Sequence, residues 1–233
     1  KVICFVSHGT SAESYKDILE LMTTRFILRP GHEKRHVKEG LSKYRSLESV
    51  LLLLRGIKIN LHPDDDLDVE ADVVIYWGVP PETLFVKRMS TVGAQHTYVI
   101  LSNFDDSATR RRVTTRSGMR EHPESTQVNL TGPGTLLHSY RDRTWRAMGT
   151  IPSSVADKLY ADHVIKVKKA LKIPMKDSII RANQFAARVL LHGEAEDGSS
   201  LYPPIRTRPS MKQKQVVKFG LQPYISQGLM KVD

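Results

Sequence analysis

The residues best equipped for chemistry are a few histidines, a run of aspartates and several clusters of cations. His32 and His36 stand four apart with Glu33 between them, a spacing that sets two imidazoles on one helical face as a zinc site requires. Pro30-Gly31 makes the backbone irregular just ahead and no third ligand follows, so the segment reads as the solvated polar start of a helix. Asp64, Asp65, Asp66 and Asp68 gather carboxylates, but the run lacks the central Gly and closing Glu of a calcium loop and reads as solvated too. Cys4 is the single cysteine; it can form no internal disulfide or Cys-based zinc site, and inside an apolar run it is an inert buried thiol in a reducing compartment. No Gly-x-x-x-x-Gly-Lys-Ser/Thr occurs, so the chain has no cradle for nucleotide phosphates. No metal and no cofactor is expected for this chain alone.

The cations have a clearer pattern. Arg110, Arg111 and Arg112 are followed by Arg116 and Arg120, Lys166, Lys168, Lys169 and Lys172 crowd one stretch, and Arg181 and Arg188 share the polar face of the next helix with Gln184 and His192. Net charge is +10, yet residues 1–106 hold 13 Lys and Arg against 15 Asp and Glu, while residues 107–233 hold 22 against 10. Clustered cations gain affinity for a phosphate backbone by releasing its counterions, so the expected partner is RNA, held mainly through residues 107–233. Tyr140, Trp145 and Tyr160 lie among these cations and could stack on unpaired bases. Two plainer readings stand beside this one: lysines near a helix C-terminus favour its dipole, and aromatic residues of this kind commonly fill a core.

The elements that must position these groups follow from the apolar pattern. With 40% hydrophobic and 26% charged residues, the composition is that of a globular chain. The longest aliphatic run, Val50–Leu54, is far short of the roughly 20 residues that cross a bilayer, so no membrane partner is expected. Val2–Val6, Arg25–Leu28, Val50–Leu54, Val73–Trp77 and Thr97–Leu101 read as buried parallel strands; Ser14–Met22, Val37–Tyr44 and Pro81–Met89 read as the helices between them. The expected fold class is therefore α/β, a mostly parallel sheet with helices on both faces over residues 1–106. Residues 107–151 read as a short basic helix and an irregular linker. Residues 152–193 read as a helical extension, capped by Ser153 or Ser154 and then by Asp177, and ended by Gly193 in a left-handed turn. Its buried stripes are Ala156, Tyr160, Val164, Val167 and Leu171, then Ile179, Ala182, Phe185, Ala186 and Val189. Residues 194–233 read as an extended basic arm. No signal or transit segment precedes Val2–Val6, so the expectation is a fragment of an intracellular chain, mitochondrial or nuclear.

In order along the chain, Val2–Val6 with Ser7-His8, Leu28-Arg29-Pro30-Gly31, Tyr44-Arg45-Ser46, Val50–Leu54, Val73–Tyr76 before Val79-Pro80, and Phe85-Val86-Lys87-Arg88 fall where landmarks of one family fall. The first 106 residues resemble the second RecA-like lobe of DEAD-box and related RNA helicases. The resemblance implies RNA contacts at Ser7, His8, Arg29 and Arg88, with a first RecA-like lobe or ribonucleoprotein proteins as partners. It implies ATP and magnesium only where an intact first lobe is present. Residues Ile179–Leu190, Pro203-Pro204 and Val217–Leu221 resemble the helical extension of mitochondrial-type DEAD-box RNA chaperones, beyond which a basic tail holds RNA. His8-Gly9 also resembles the Arg-His-Gly of histidine phosphatases, but Ser7 stands where the phosphate-binding Arg belongs.

Departures from the helicase pattern carry the functional expectation. Thr91 and Ala94 occupy the two arginine-finger positions of the sixth motif, and neither offers the guanidinium that stabilises a transferring phosphoryl group. The fifth motif falls on Leu54-Arg55, Ile59-Asn60 and His62 in place of its Thr-Asp, Arg-Gly and Asp. The expectation is a fold kept without its chemistry, a noncatalytic RNA-binding or scaffolding element. Two alternatives remain: the downstream lobe of an ATP-dependent RNA helicase whose ATP-binding lobe lies outside this chain, and a protein–protein adaptor.

Overall fold

A computed structural model describes residues 1–6, 11–31, 33–55, 69–77, 92–101, 111, 113, 115, 119–122, 136–193 and 207–233. The chain divides into two compact units, Lys1–Gln127 and Val128–Asp233.

In the first unit, strands β1 (Val2–Val6), β2 (Phe26–Leu28), β3 (Val50–Arg55), β4 (Val69–Trp77) and β5 (Val92–Ile100) form one sheet of order β2-β3-β1-β4-β5. Every pairing is parallel, with Ile3 opposite Leu52 on one side and Val74 on the other. Helix α1 (Ser11–Met22) carries the chain from β1 to β2, and α2 (Lys34–Ser46) carries it back to β3. These crossovers run in opposite directions along the sheet, so a single handedness sends the two helices to opposite faces. The packing agrees. Ile3, Phe5, Leu52 and Leu54 meet Val37, Leu41 and Tyr44 of α2, whereas Cys4, Val6, Ile27 and Leu53 meet Tyr15 and Leu19 of α1. Alternate residues of β1 and β3 thus serve different faces, which is why both strands read as continuous apolar runs. The expected α/β fold with helices on both faces is the fold observed.

Two strands are longer than expected, because the alternation that marks them slips. In β4, Val69 and Ala71 face the same cluster as Val74 and Tyr76. Between them the Asp72 and Val73 N–H groups both donate to the Lys1 carbonyl, at 3.0 and 3.3 Å, as a β-bulge requires. In β5, Ala94 and Val99 both pack on that cluster, so its period breaks as well. The expected helix Pro81–Met89 lies outside the described residues.

The second unit holds α3 (Leu136–Thr150), α4 (Ser153–Leu171) and α5 (Met175–Arg188), then β6 (Ser210–Met211), α6 (Gln213–Phe219), α7 (Gln222–Ser226) and β7 (Lys231–Val232). Helix α3 replaces part of the expected irregular linker. Of its described side chains only Ala147 and Met148 are fully buried, with Ile151 just beyond it, too short a stripe for a helical period to show. Helices α4 and α5 form the expected pair. Ala156, Tyr160, Val164 and Val167 of α4 and Ile179, Ala182 and Ala186 of α5 are buried and the two helices pack together; buried Ser178 of α5 donates to the Val164 carbonyl of α4 at 2.5 Å.

The helix ends differ from expectation. The caps are Pro152 and Pro174, so Ser153 is the first residue of α4, and Asp177 lies within the first turn of α5. Leu191 (φ 55°) makes the left-handed turn directly after α5, and the expected Gly193 follows it at a positive φ of 144°, with the His192 N–H reaching the Ala186 carbonyl at 2.8 Å. That turn swings His192 inside and leaves Val189 exposed, the reverse of their expected places.

The final segment is not an extended arm over residues 207–233. Ser210 and Met211 pair in parallel with Lys231 and Val232, and Met211, Val216, Leu221 and Met230 are buried. Asp157 of α4 accepts from the Ser210 N–H at 2.7 Å, Asn183 of α5 donates to the Leu229 carbonyl at 2.9 Å, and Arg208 donates to the Gly228 and Leu229 carbonyls at 3.0 and 3.1 Å. These long-range bonds leave no local period, so the sequence pattern misses them. No helix among the described residues is long and apolar enough to cross a membrane.

Candidate nucleic-acid interface

The charge separates along the two units. Lys1–Gln127 holds 18 Lys and Arg against 17 Asp and Glu, while Val128–Asp233 holds 17 against 8. Several acids of the second unit are spent locally: Asp142 pairs with Arg146 at 2.7 Å and Asp162 with Lys166 at 3.2 Å, and Asp157 is bonded to the backbone of Ser210. Burial holds the Lys166 ammonium below its ordinary range, and Asp162 pulls it part of the way back.

Lys168, near the end of α4, is exposed, and so is Lys172, its C-cap, which takes a left-handed φ of 52°. Lys169 belongs to α4, though its side chain lies outside the described residues. Lys176, exposed in the first turn of α5, brings a further cation beside the same turn. In sequence it stands apart from the lysine run, beyond Pro174. On α5, Arg188 is exposed and Arg181 half-buried, and neither is without a partner. Lys212, Lys214, Lys218 and Lys231 are exposed on the folded final segment. Their charge was legible in the sequence; their fixed placement was not.

The remaining expected RNA-binding residues divide. Arg29 sits half-buried after β2, its guanidinium 3.8 Å from Glu13 of α1. Arg111 is exposed and helical, in the first unit. Ser7, His8, Arg88, Arg110 and Arg112 lie outside the described residues. Of the finger positions, Thr91 also lies outside them. Ala94 falls inside β5 opposite Ala71 and packs on the core cluster beneath α2, so its side chain points into the fold.

The three aromatic candidates separate by burial. Tyr160 is fully buried and its hydroxyl donates to Asn183 at 2.8 Å, so it belongs to the core and cannot stack on a base. Trp145 is half-buried. Tyr140 remains 48% exposed, with the Arg143 guanidinium 5.7 Å from its ring. His36, the zinc candidate on α2, is exposed, and among the described residues no group of three or more potential ligands could hold a metal.

No family model, no curated protein and no solved structure matches the chain.

Proposed function

We propose that the chain is a noncatalytic, helicase-like RNA-binding or scaffolding element of a larger protein or ribonucleoprotein. The observation that supports this most directly is the excess of exposed cations in the second unit, where Lys168, Lys172, Lys176, Lys212, Lys214, Lys218 and Lys231 are all exposed. Such a surface binds phosphate without reading base identity. The parallel sheet of the first unit suits a RecA-like lobe, and the absent P-loop together with Thr91 and Ala94 argues against phosphoryl transfer.

The deciding measurement is single-stranded RNA binding by the full chain across a salt series. Affinity is expected to fall linearly on logarithmic axes. Changing Arg110, Arg111, Arg112, Lys168, Lys169 and Lys172 to Gln should weaken binding to many sequences about equally and flatten the slope by roughly 0.7 for each phosphate that is no longer neutralised. An unchanged slope and affinity in that variant would show the basic residues to be only a solvated surface. The same preparation should release no phosphate from ATP above a buffer blank with RNA present; RNA-stimulated release would instead place an ATPase in the chain.

A further inference from the structure

The exposed rings and cations of the second unit can be sorted by what each offers a nucleic acid. The lysines beside the turn between α4 and α5 offer only charge. Helix α3 offers something else. Of its described side chains the buried ones, Ala147 and Met148, sit in its last turns, and those of its earlier turns are exposed or half-exposed. There Tyr140 shows nearly half its surface, and Arg143, one turn on and also exposed, holds its guanidinium over the same ring, 5.7 Å from its centroid. Asp142, the acid beside them, is engaged with Arg146 at 2.7 Å, which leaves the charge near the ring positive. The Thr144 hydroxyl donates to the Tyr140 carbonyl at 2.8 Å, so this turn of helix is held as a fixed base for the ring.

From this geometry we propose that Tyr140 and Arg143 form a stacking platform for one unpaired base of a single-stranded RNA; the proposal rests on the RNA-binding reading above. A flat ring beside a planar guanidinium is how single-strand sites hold a base without selecting its identity, because every base has a π face. A duplex keeps its bases stacked on one another and cannot present one to this ring. The platform therefore selects strandedness, which the exposed lysines of the α4–α5 turn do not.

Stacking and phosphate binding leave different marks on a salt series, since only the second releases counterions. The test compares the full chain with Tyr140→Ala and Tyr140→Phe on a short oligouridylate, on an abasic ribose-phosphate strand of the same length and on a duplex. Tyr140→Ala should lose about fivefold or more of its affinity for the oligouridylate with an unchanged salt slope, Tyr140→Phe should keep the parent affinity, and the variants should bind the abasic strand and the duplex equally. If the parent binds with a salt slope but Tyr140→Ala loses nothing, or loses equally on the abasic strand, the platform is overturned while the RNA-binding reading stands. If the parent binds no strand at any salt, both are overturned, and the exposed ring is left to a protein partner.

Discussion

Tyr160 shows how much one residue's surroundings decide. Its spacing among cations allows a base-stacking role, but it is also a member of the apolar stripe of α4, and in the structure that membership prevails. Burial pushes its phenol up to about 12 from 10.0, with Arg208 opposing, and its hydroxyl is committed to Asn183. The folded chain therefore keeps a proton that the unfolded chain releases as pH passes about 10. The stabilisation is complete below that value and is lost as pH rises through about 12. Urea midpoints of the parent should accordingly drop steeply on moving from about pH 9 to about pH 11.5, and Tyr160→Phe, which removes the titrating group, should drop less. An equal drop in both chains would mean that this phenol is not the group responsible. Tyr44, raised to about 12 by burial and by Asp72, should supply the part of the drop that remains. Ala94 makes the same point in the opposite sense. Where the helicase resemblance implies an arginine finger its identity offers no guanidinium, and its place inside β5 packs the half-buried side chain on the core cluster.

At the scale of elements, two helices end on left-handed residues of opposite suitability. Lys172 closes α4 at φ 52° and Gly220 closes α6 at φ 63°. A side chain in that conformation costs roughly 1 kcal/mol, which glycine avoids. Nothing lies within 4 Å of where a Cβ on Gly220 would stand, so Gly220→Ala carries the conformational penalty alone and should lower stability by about 1 kcal/mol. Lys172→Gly should raise it by a similar amount or less, since the lysine it removes also favoured the C-terminal end of the helix dipole. Denaturant melts of the two variants check both signs; a stabilising Gly220→Ala would show that the cap is not held in this conformation. Glycine has a third, steric use at Gly40 of α2. A Cβ there would come within 2.5 Å of the Pro30 ring, so the turn after β2 rests directly on the helix. The sheet's elements were legible because their periods are local: buried runs for β1 and β3, an amphipathic stripe for α2. The start of β4 was not, because the bulge at Asp72 breaks its alternation. Neither was α3, whose described buried side chains, Ala147 and Met148, fall in a single turn, nor the C-terminal segment, whose order depends on Asp157, Asn183 and Arg208 bonding across 53, 46 and 21 residues of sequence.

At the scale of the molecule, the two units differ in charge less than the halves read from sequence suggest, at +1 and +9 where the halves stand at −2 and +12. Arg110, Arg111, Arg112, Arg116 and Arg120 fall within Lys1–Gln127 and there offset its acids, so the surplus that remains belongs almost entirely to Val128–Asp233. A ligand that binds the folded form of one unit stabilises that unit by mass action, by about 2.7 kcal/mol at a hundredfold excess over its dissociation constant. Amide hydrogen exchange reads this unit by unit, because buried helix and strand amides exchange through cooperative opening. With saturating single-stranded RNA on the full chain, amides of α4 and α5 should slow by up to roughly a hundredfold, while those of β1 and β3 should keep their rates. The alternative, the downstream lobe of an ATP-dependent RNA helicase, places RNA on the sheet unit, at Arg29 after β2 among other residues, and so expects the converse. Protection of β1 and β3 with none in α4 and α5 would move the RNA to the sheet unit, and the lysines of the second unit would then serve solubility and helix dipoles alone.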